Sequence, residues 1–149
     1  DLMADKQTAL LIMDKVLELK KQYWQMVFDE LGDLVDIAVE TDDYGTQQSQ
    51  LISQDTYFEM IEPRLRDLIT FIKKTLNSKK SKGEKAYIFF HSCGNVRAFL
   101  PSFIDMGIDI INPVHITAEG MEPKGLKADF GDKITLLLAK LIAIQDTRA

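Results

Sequence analysis

Two residues in the middle of the chain have side chains that commonly bind metals. His91 and Cys93 are separated by a single residue, and Cys93 is the only cysteine of the chain. Imidazole and thiolate both suit zinc, and two such groups leaving the end of a strand can turn towards one ion. The alternative is a structural histidine beside an inert, buried cysteine. The pair alone does not distinguish between these two interpretations. The strands and helices around it must therefore be considered.

The pair lies in a turn between a predicted strand and a predicted helix. Residues 87–90 form a short apolar run, residues 96–106 have helical spacing, and residues 109–111 begin a second apolar run. Gly94 would allow a tight turn, and Asn95 could cap the helix. This order of elements is typical of parallel α/β proteins, in which functional groups collect at the carboxyl ends of the strands.

A second polar loop follows another predicted strand. Residues 34–39 form a β-branched apolar run that leads directly into residues 40–50, which are acidic and polar. Asp42 and Asp43 in this loop could bind a cation, act as a general base or orient a polar ligand. One of them could instead serve only to cap the turn. Asn112 begins a third polar loop, after the strand that follows the His91 turn.

The whole chain alternates between helical and strand patterns. The predicted helices span residues 5–31, 54–61, 63–76, 96–106 and 124–130. The predicted strands span residues 34–39, 87–90, 109–111 and 134–138, whereas residues 139–149 are ambiguous between helix and strand. Gly32 is a plausible end for the first helix, Ser53 a good N-cap, and Pro63 is expected to break or restart a helix. We therefore predict one α/β domain of parallel βα repeats with about four strands, too few to close a barrel.

Composition narrows the class of protein. The 149 residues are 46% hydrophobic, which is enough for one domain with a real core, and the net charge of −5 argues against nucleic acid or an anionic membrane as partner. One cysteine cannot form an internal disulfide, which fits a reducing cytoplasm. No apolar run reaches the roughly 18 residues of a membrane-spanning helix. Because the chain begins without methionine and enters a helix almost at once, we expect a fragment or an excised domain.

Three segments of the chain resemble the uroporphyrinogen decarboxylase superfamily. They are FFHSCGNVRAFLPSFIDMGIDIINPV (residues 89–114), GMEPKGLKADFGDKIT (residues 120–135) and DDYGTQQSQLIS (residues 42–53). The closest branch is that of the cobamide-dependent methyltransferases. The resemblance implies that residues 1–149 form a single partial domain of a (β/α)₈ TIM barrel, corresponding to its central and C-terminal part.

The resemblance also implies a metal site and a reaction. In the zinc methyltransferases of this superfamily, a His-x-Cys pair and a distant second cysteine hold zinc. The zinc lowers the pKa of a thiol substrate, which then accepts a methyl group from a methylated corrinoid on a partner protein. His91 and Cys93 match the first two ligands, and the chain has no second cysteine. The third ligand is therefore missing or replaced; His115 could approach the site, or could serve only as a solvated or hydrogen-bonding residue.

Five further positions complete the predicted site. We assign catalytic roles to Asp42 and Asp43, and substrate binding to Gln47, Asn112 and His115. We expect the substrate to be a small molecule.

Two alternatives to methyl transfer follow from the same sequence. The first is a lyase that decarboxylates a porphyrinogen-like substrate without metal, with Asp42 or Asp43 as the acid; apart from Arg97, on a helix flank, the site loops offer almost no arginine to bind its carboxylates. The second is a non-catalytic truncated barrel that acts as a binding or assembly module. Half a barrel has two unpaired strand edges, so we expect a homodimer or a complementing barrel half as partner.

Overall fold

A four-stranded parallel β-sheet organises residues 4–138, the part of the chain that the computed structural model describes. The helices are α1 (Lys6–Leu31), α2 (Gln54–Thr56), α3 (Glu62–Ser78), α4 (Leu100–Met106) and α5 (Pro123–Phe130). The strands are β1 (Ile37–Thr41), β2 (Tyr87–His91), β3 (Ile110–Val114) and β4 (Thr135–Leu138). The prediction of parallel βα repeats with four strands is confirmed, and the ambiguous residues 139–149 lie outside the described residues.

Each strand pairs with the strand that is next to it in the sequence. The order across the sheet is β1-β2-β3-β4, and all three pairings are parallel. The register places Thr41 beside His91, and His91 beside Asn112. Because crossover connections between parallel strands are right-handed, an order that always steps in one direction puts the connecting helices on one face of the sheet.

The face of the sheet that carries the helices is the core of the domain. Ile88, Phe90 and Ile111 are buried there and belong to one cluster with side chains of α3, α4 and α5. Phe90 contacts Phe103 of α4, with ring centroids 5.2 Å apart. Their burial removes several large apolar side chains from water, the main stabilising contribution in a domain of this size.

The opposite face of the sheet is open. Ile37, Val39, Tyr87 and Leu137 alternate with the buried strand residues and are about half exposed, and no element within residues 4–138 covers them. We call this surface the open face. A parallel sheet normally has both faces covered, so an open apolar face is unusual for this architecture.

Helix α1 is fixed to β1 by a buried carboxylate. Glu40 is only 6% exposed, Trp24 Nε1 donates to its Oε1 at 2.6 Å, and Lys20 Nζ donates to its Oε2 at 2.6 Å. Asp5 caps α1 by accepting a hydrogen bond from Thr8 N at 3.0 Å. The sequence interpretation that put position 40 in a polar loop is wrong, because this acid is a strand residue whose charge is paired across the fold.

Several predicted boundaries differ from the structure. Strand β3 extends to Val114, so Asn112 is a strand residue and not the start of a polar loop. Helix α4 begins at Leu100, after a 3₁₀ turn over Arg97–Phe99, and not at residue 96.

Strand β1 begins three residues later than predicted, because its pairing with β2 starts where Tyr87 N donates to Asp36 O at 2.9 Å, and Leu34 before it is exposed. Of the break or restart expected at Pro63, the restart is observed. A π-helical turn, Tyr57–Ile61, leads directly into α3, and Pro63 lies in its first turn, where a missing N–H is tolerated.

The predicted N-cap at Ser53 and the end of α1 at Gly32 are confirmed. Ser53 Oγ accepts from Thr56 N at 3.1 Å, and Gly32 N donates to Phe28 O at 3.1 Å as the C-cap of α1. No helix within residues 4–138 combines the length and apolar character needed to cross a membrane.

Candidate metal site

The loops that follow β1, β2 and β3 meet at the carboxyl edge of the sheet. Asp42 N donates to His91 O at 3.0 Å, which joins the first two loops. Ser92 N donates to Asn112 O at 2.8 Å, which joins the second loop to the end of β3. Polar side chains from three separate parts of the sequence therefore lie at one edge, as expected for parallel strands.

Two glycines allow the first two loops to touch through their backbones. Gly94 has φ +77°, and a Cβ built on it would lie 2.4 Å from the carbonyl carbon of Gly45. A Cβ on Gly45 would lie 2.6 Å from Cys93 O. Between the loops, Asn95 N donates to Thr46 O at 2.8 Å. The tight turn predicted at Gly94 is present, and its partner Gly45 is equally required by the close approach.

Asp43, His91 and Cys93 form a compact group of potential metal ligands. One ligand atom from each residue lies within 4.8 Å of the other two. His91 Nε2 is 3.5 Å from Cys93 Sγ and 4.0 Å from Asp43 Oδ1. Tetrahedral zinc, with bonds of about 2.0–2.3 Å, separates its ligand atoms by about 3.5 Å. The histidine–cysteine separation already matches this value, and the carboxylate needs only a small rotation.

Asn112 fixes the orientation of the His91 ring. Its Oδ1 lies 3.0 Å from His91 Nδ1. Since an amide oxygen can only accept a hydrogen bond, Nδ1 carries the proton and Nε2 keeps a free lone pair. That lone pair points towards Cys93 and Asp43, which is the arrangement that metal-binding histidines use. Asn112 therefore contacts His91 at Nδ1 and lies outside the group formed by Asp43, His91 and Cys93.

The thiol of Cys93 is protonated at neutral pH without a cation. The backbone N of Cys93 donates to Asp43 Oδ1 at 2.8 Å, and this hydrogen bond holds the carboxylate beside the sulfur. Burial, and secondarily the negative charge of Asp43, raises the pKa of the Cys93 thiol. A neutral thiol is a poor nucleophile, so this geometry does not activate Cys93 alone. A bound cation would counter both effects, because it stabilises the thiolate directly.

Three of the predicted site residues lie away from this group. The Asp42 carboxylate faces the Tyr44 hydroxyl, where its charge, together with burial as the larger cause, raises the pKa of Tyr44. His115 Nε2 lies 2.9 Å from Gln47 Nε2, so the side chains of these two residues form a hydrogen bond. His115 Nδ1 is buried and has no hydrogen-bond partner within residues 4–138. Only Asp43, of the two adjacent acids, joins the ligand group.

Sequence reasoning missed one residue that builds the site. Ser92 is fully buried, and its Oγ accepts a hydrogen bond from Tyr44 N at 3.1 Å. This bond ties the loop that carries Asp43 to the turn that carries Cys93. A serine between two candidate ligands was the only signal, and a serine is too common in turns to be informative.

Arg97 is bound to a different part of the chain. Its Nη1 donates to Gly120 O at 3.0 Å, and its Nη2 pairs with the carboxylate of Asp129 in α5. Asn95 was predicted to cap the following helix, but its Oδ1 only accepts one long hydrogen bond, from Arg97 N at 3.4 Å. The N-cap of the 3₁₀ turn Arg97–Phe99 is Val96. Arg97 therefore holds the segment between β3 and α5.

No protein-family model, curated protein or solved structure matches this chain. The resemblance to the uroporphyrinogen decarboxylase superfamily therefore stays a prediction that rests on the three sequence segments.

Proposed function

We propose that this chain is a methyltransferase-type domain that uses zinc to transfer a methyl group from a methylated corrinoid to a small-molecule thiol. A partner protein carries the corrinoid. The observation that supports this proposal best is the convergence of Asp43, His91 and Cys93 within 4.8 Å at the carboxyl edge of a parallel sheet. The domain is proposed to be part of a (β/α)₈ barrel, for which the sequential strand order is the supporting feature.

The ligand group offers a candidate for the third zinc ligand, in place of the second cysteine that the chain lacks. With one cysteine in the chain, Asp43 takes the place of the second thiolate as third ligand. A nitrogen, a sulfur and a carboxylate oxygen all bind zinc, and three protein ligands leave a fourth position for a substrate. Zinc bound there would supply a Lewis acid that lowers the pKa of a thiol at the open position.

The residues around the ligand group have definable roles. Asn112 holds the proton on His91 Nδ1 and so keeps Nε2 available. Asp43 and Cys93 contribute two negative charges when the thiol is ionised, which match a divalent cation. Both the Asp43 and His91 side chains are partly exposed, so a substrate can reach the group from solvent.

Decarboxylation of a porphyrinogen-like substrate is not proposed. That reaction needs cationic groups to hold several carboxylates, and Arg97 is already paired with Asp129. The reducing cytoplasm remains the proposed compartment, because Cys93 must stay reduced to act as a ligand.

Zinc binding is the first test of the proposal. We expect the purified chain to bind one zinc ion per copy, measured by competition with a chromophoric chelator. His91→Ala, Cys93→Ala and Asp43→Ala should each weaken binding by about a hundredfold or more, since each removes a direct ligand. Asp42→Ala is the matched control: it removes the adjacent acid, which lies against Tyr44, and should leave zinc affinity unchanged. Equal affinity in all five proteins would refute the metal site.

Turnover is the second test. The zinc-loaded chain, mixed with methylcobalamin and a small thiol, should produce the methyl thioether and demethylated cobalamin, followed by the change in the corrinoid absorption spectrum. Cys93→Ala should abolish the reaction. Zinc binding without any demethylation, with free methylcobalamin or a corrinoid protein as donor, would contradict the reaction while leaving the metal site intact.

A further inference from the structure

A groove runs along the free edge of β1, beneath the overhanging helix α1. It has a volume of about 400 Å³. Its lining consists of Val16, Leu19, Lys20, Tyr23 and Trp24 of α1 together with Val39 and Glu40 of β1. Within residues 4–138 no strand pairs with this edge, so its outward N–H and C=O groups face the groove.

Helix α1 extends past the edge of the sheet. Trp24 and Lys20 hold it to Glu40, on the helix-covered side of β1. Beyond this attachment, Leu19 and Tyr23 are about half exposed and face the groove rather than any strand of the described chain. An additional strand beside β1 would be covered by these two side chains, as strands in the rest of the sheet are covered by the connecting helices.

Strand β4 forms the other edge of the sheet and has unburied apolar side chains. Leu136 pairs in register with the buried Ile111, which places it on the helix-covered side. By the alternation of a strand, Leu137 belongs to the open face and Leu138 returns to the helix-covered side. Leu137 and Leu138 are nevertheless about half exposed. Within the described residues, the edge at β1 has a groove that no strand fills, and the edge at β4 has a strand whose apolar side chains are not covered.

We propose that a second copy of this chain inserts its β4 into the groove between β1 and α1, and that the exchange is reciprocal. A two-fold axis parallel to the strands keeps all strands parallel and gives the order β1-β2-β3-β4 twice around a closed ring. Eight parallel strands can close into a barrel that side chains fill. The two β4–β1 contacts are identical, which gives the closed symmetry common among homodimers.

A second copy fits the groove better than an unrelated strand for two reasons. The chain itself carries both the acceptor groove and an apolar donor strand of the required direction. The half-exposed residues of the open face, Ile37, Val39, Tyr87 and Leu137, would also face their counterparts inside the ring. The dimer thus buries four strand edges and two apolar sheet faces.

The dimer places both ligand groups at the same mouth. All eight strands would end at one side of the ring, and Asp43, His91 and Cys93 lie at the carboxyl ends of β1 and β2. This inference does not depend on zinc or on methyl transfer, since it rests on the edges and the open face alone.

Sedimentation equilibrium with matched variants tests the proposal. We expect the 149-residue chain to be a dimer with a concentration-dependent monomer. Leu19→Lys in the groove and Leu138→Glu on the donor strand should each raise the dimer dissociation constant by about tenfold or more, because each buries a charge. Leu11→Lys is the control, since Leu11 lies on the same helix, is exposed and does not line the groove; it should leave the dimer unchanged.

Mixing the two impaired variants gives the decisive result. In a mixed dimer, one contact pairs lysine at position 19 with glutamate at position 138, and the other contact is native. We therefore expect Leu19→Lys and Leu138→Glu to form heterodimers more tightly than either forms homodimers. Hydrogen exchange of the native chain provides a readout without substitutions: the amides of β1 should become protected as concentration rises. A native chain that stays monomeric at all concentrations, or a dimer unaffected by both Leu19→Lys and Leu138→Glu, would overturn the proposal.

Discussion

His91 Nδ1 lies 3.0 Å from Asn112 Oδ1, a contact between the last residue of β2 and the register partner of that residue in β3. The strand register therefore sets the tautomer of the histidine. The ring of this candidate metal ligand is therefore oriented by a residue of the neighbouring strand, as in known metal sites where a second residue fixes the histidine.

The first prediction concerns this contact. Asn112→Ala should weaken zinc binding by about 10–100-fold, because the ring loses the acceptor that fixes its tautomer. Asn112→Asp keeps an acceptor oxygen at the same place and should retain most of the affinity. Nitrogen NMR of the metal-free chain gives an independent measurement, since His91 should carry its proton on Nδ1 in the native chain and become a mixture of tautomers in Asn112→Ala. An unchanged tautomer in Asn112→Ala would argue against this role for the asparagine.

The second prediction concerns the contact between two glycines. Gly94→Ala should lower the free energy of unfolding by about 3 kcal/mol, because its Cβ would overlap the backbone of Gly45 and its φ of +77° disfavours a side chain. Gly83→Ala is the control: φ there is +95°, but no atom of residues 4–138 lies within 4 Å of the added Cβ. It should cost only about 1 kcal/mol, from conformation alone. Urea denaturation of both variants measures the difference, and equal losses would show that the loops do not pack as described.

The third prediction concerns a buried hydroxyl. Tyr57 stacks on Phe99 with ring centroids 4.1 Å apart, and its hydroxyl makes no hydrogen bond of ordinary geometry within residues 4–138. Burial raises its pKa to about 12, and the nearby Ser102 hydroxyl opposes this with a smaller lowering. Tyr57→Phe should leave stability equal or raise it by about 1 kcal/mol, because an unsatisfied polar group leaves the core. Tyr57→Leu keeps an apolar residue but loses the stacked ring, and should lower stability by about 2 kcal/mol. A loss of stability in Tyr57→Phe would mean that the hydroxyl has a partner.

The fourth prediction concerns the reactivity of Cys93 without metal. Burial and Asp43 raise its thiol pKa above the ordinary value of 9.0, so the neutral thiol persists at neutral pH and the thiolate appears only as pH rises towards that pKa. Alkylation by iodoacetamide should be slow at pH 7 and should speed up through pH 9. Asp43→Asn removes the nearby charge but keeps an oxygen for the Cys93 N–H bond. It should therefore lower the pKa and increase the rate at pH 8 by about threefold. Identical pH profiles would contradict the proximity of the carboxylate and the sulfur.

The course of the chain was readable because its apolar patterns are local. The parallel arrangement, the four strands and the positions of His91 and Cys93 at a strand end all follow from short runs such as residues 87–90, whose neighbours are turn residues. The start of β1 was not readable, since the apolar residues before Ile37 look no different from those within the strand. Pairing with β2 decides that boundary, and pairing is a long-range property.

The burial and the contact partners of individual charged residues were the hardest features to predict from the sequence. Glu40 lies beside a run of polar residues, yet it is buried because Lys20 and Trp24 reach it from α1. Asp42 and Asp43 are adjacent and of the same type, and the turn sends one towards Tyr44 and the other towards Cys93. Nothing local distinguishes them. Asp43 accepts a hydrogen bond from the backbone N of Cys93, 50 residues away in the sequence, and only the folded contact between the two loops brings them together.

The sequential strand order also has a consequence for how the chain folds. Every strand pairing joins neighbours along the chain, so the sheet can grow by one βα unit at a time as the polypeptide leaves the ribosome. β1 and β2 can dock before β3 and β4 are synthesised, and no early strand must wait for a late one to be inserted between its neighbours. Such an order avoids pairings between strands that are further apart along the chain, and longer separations slow folding. It also means that removing β4 would leave the register of the first three strands intact.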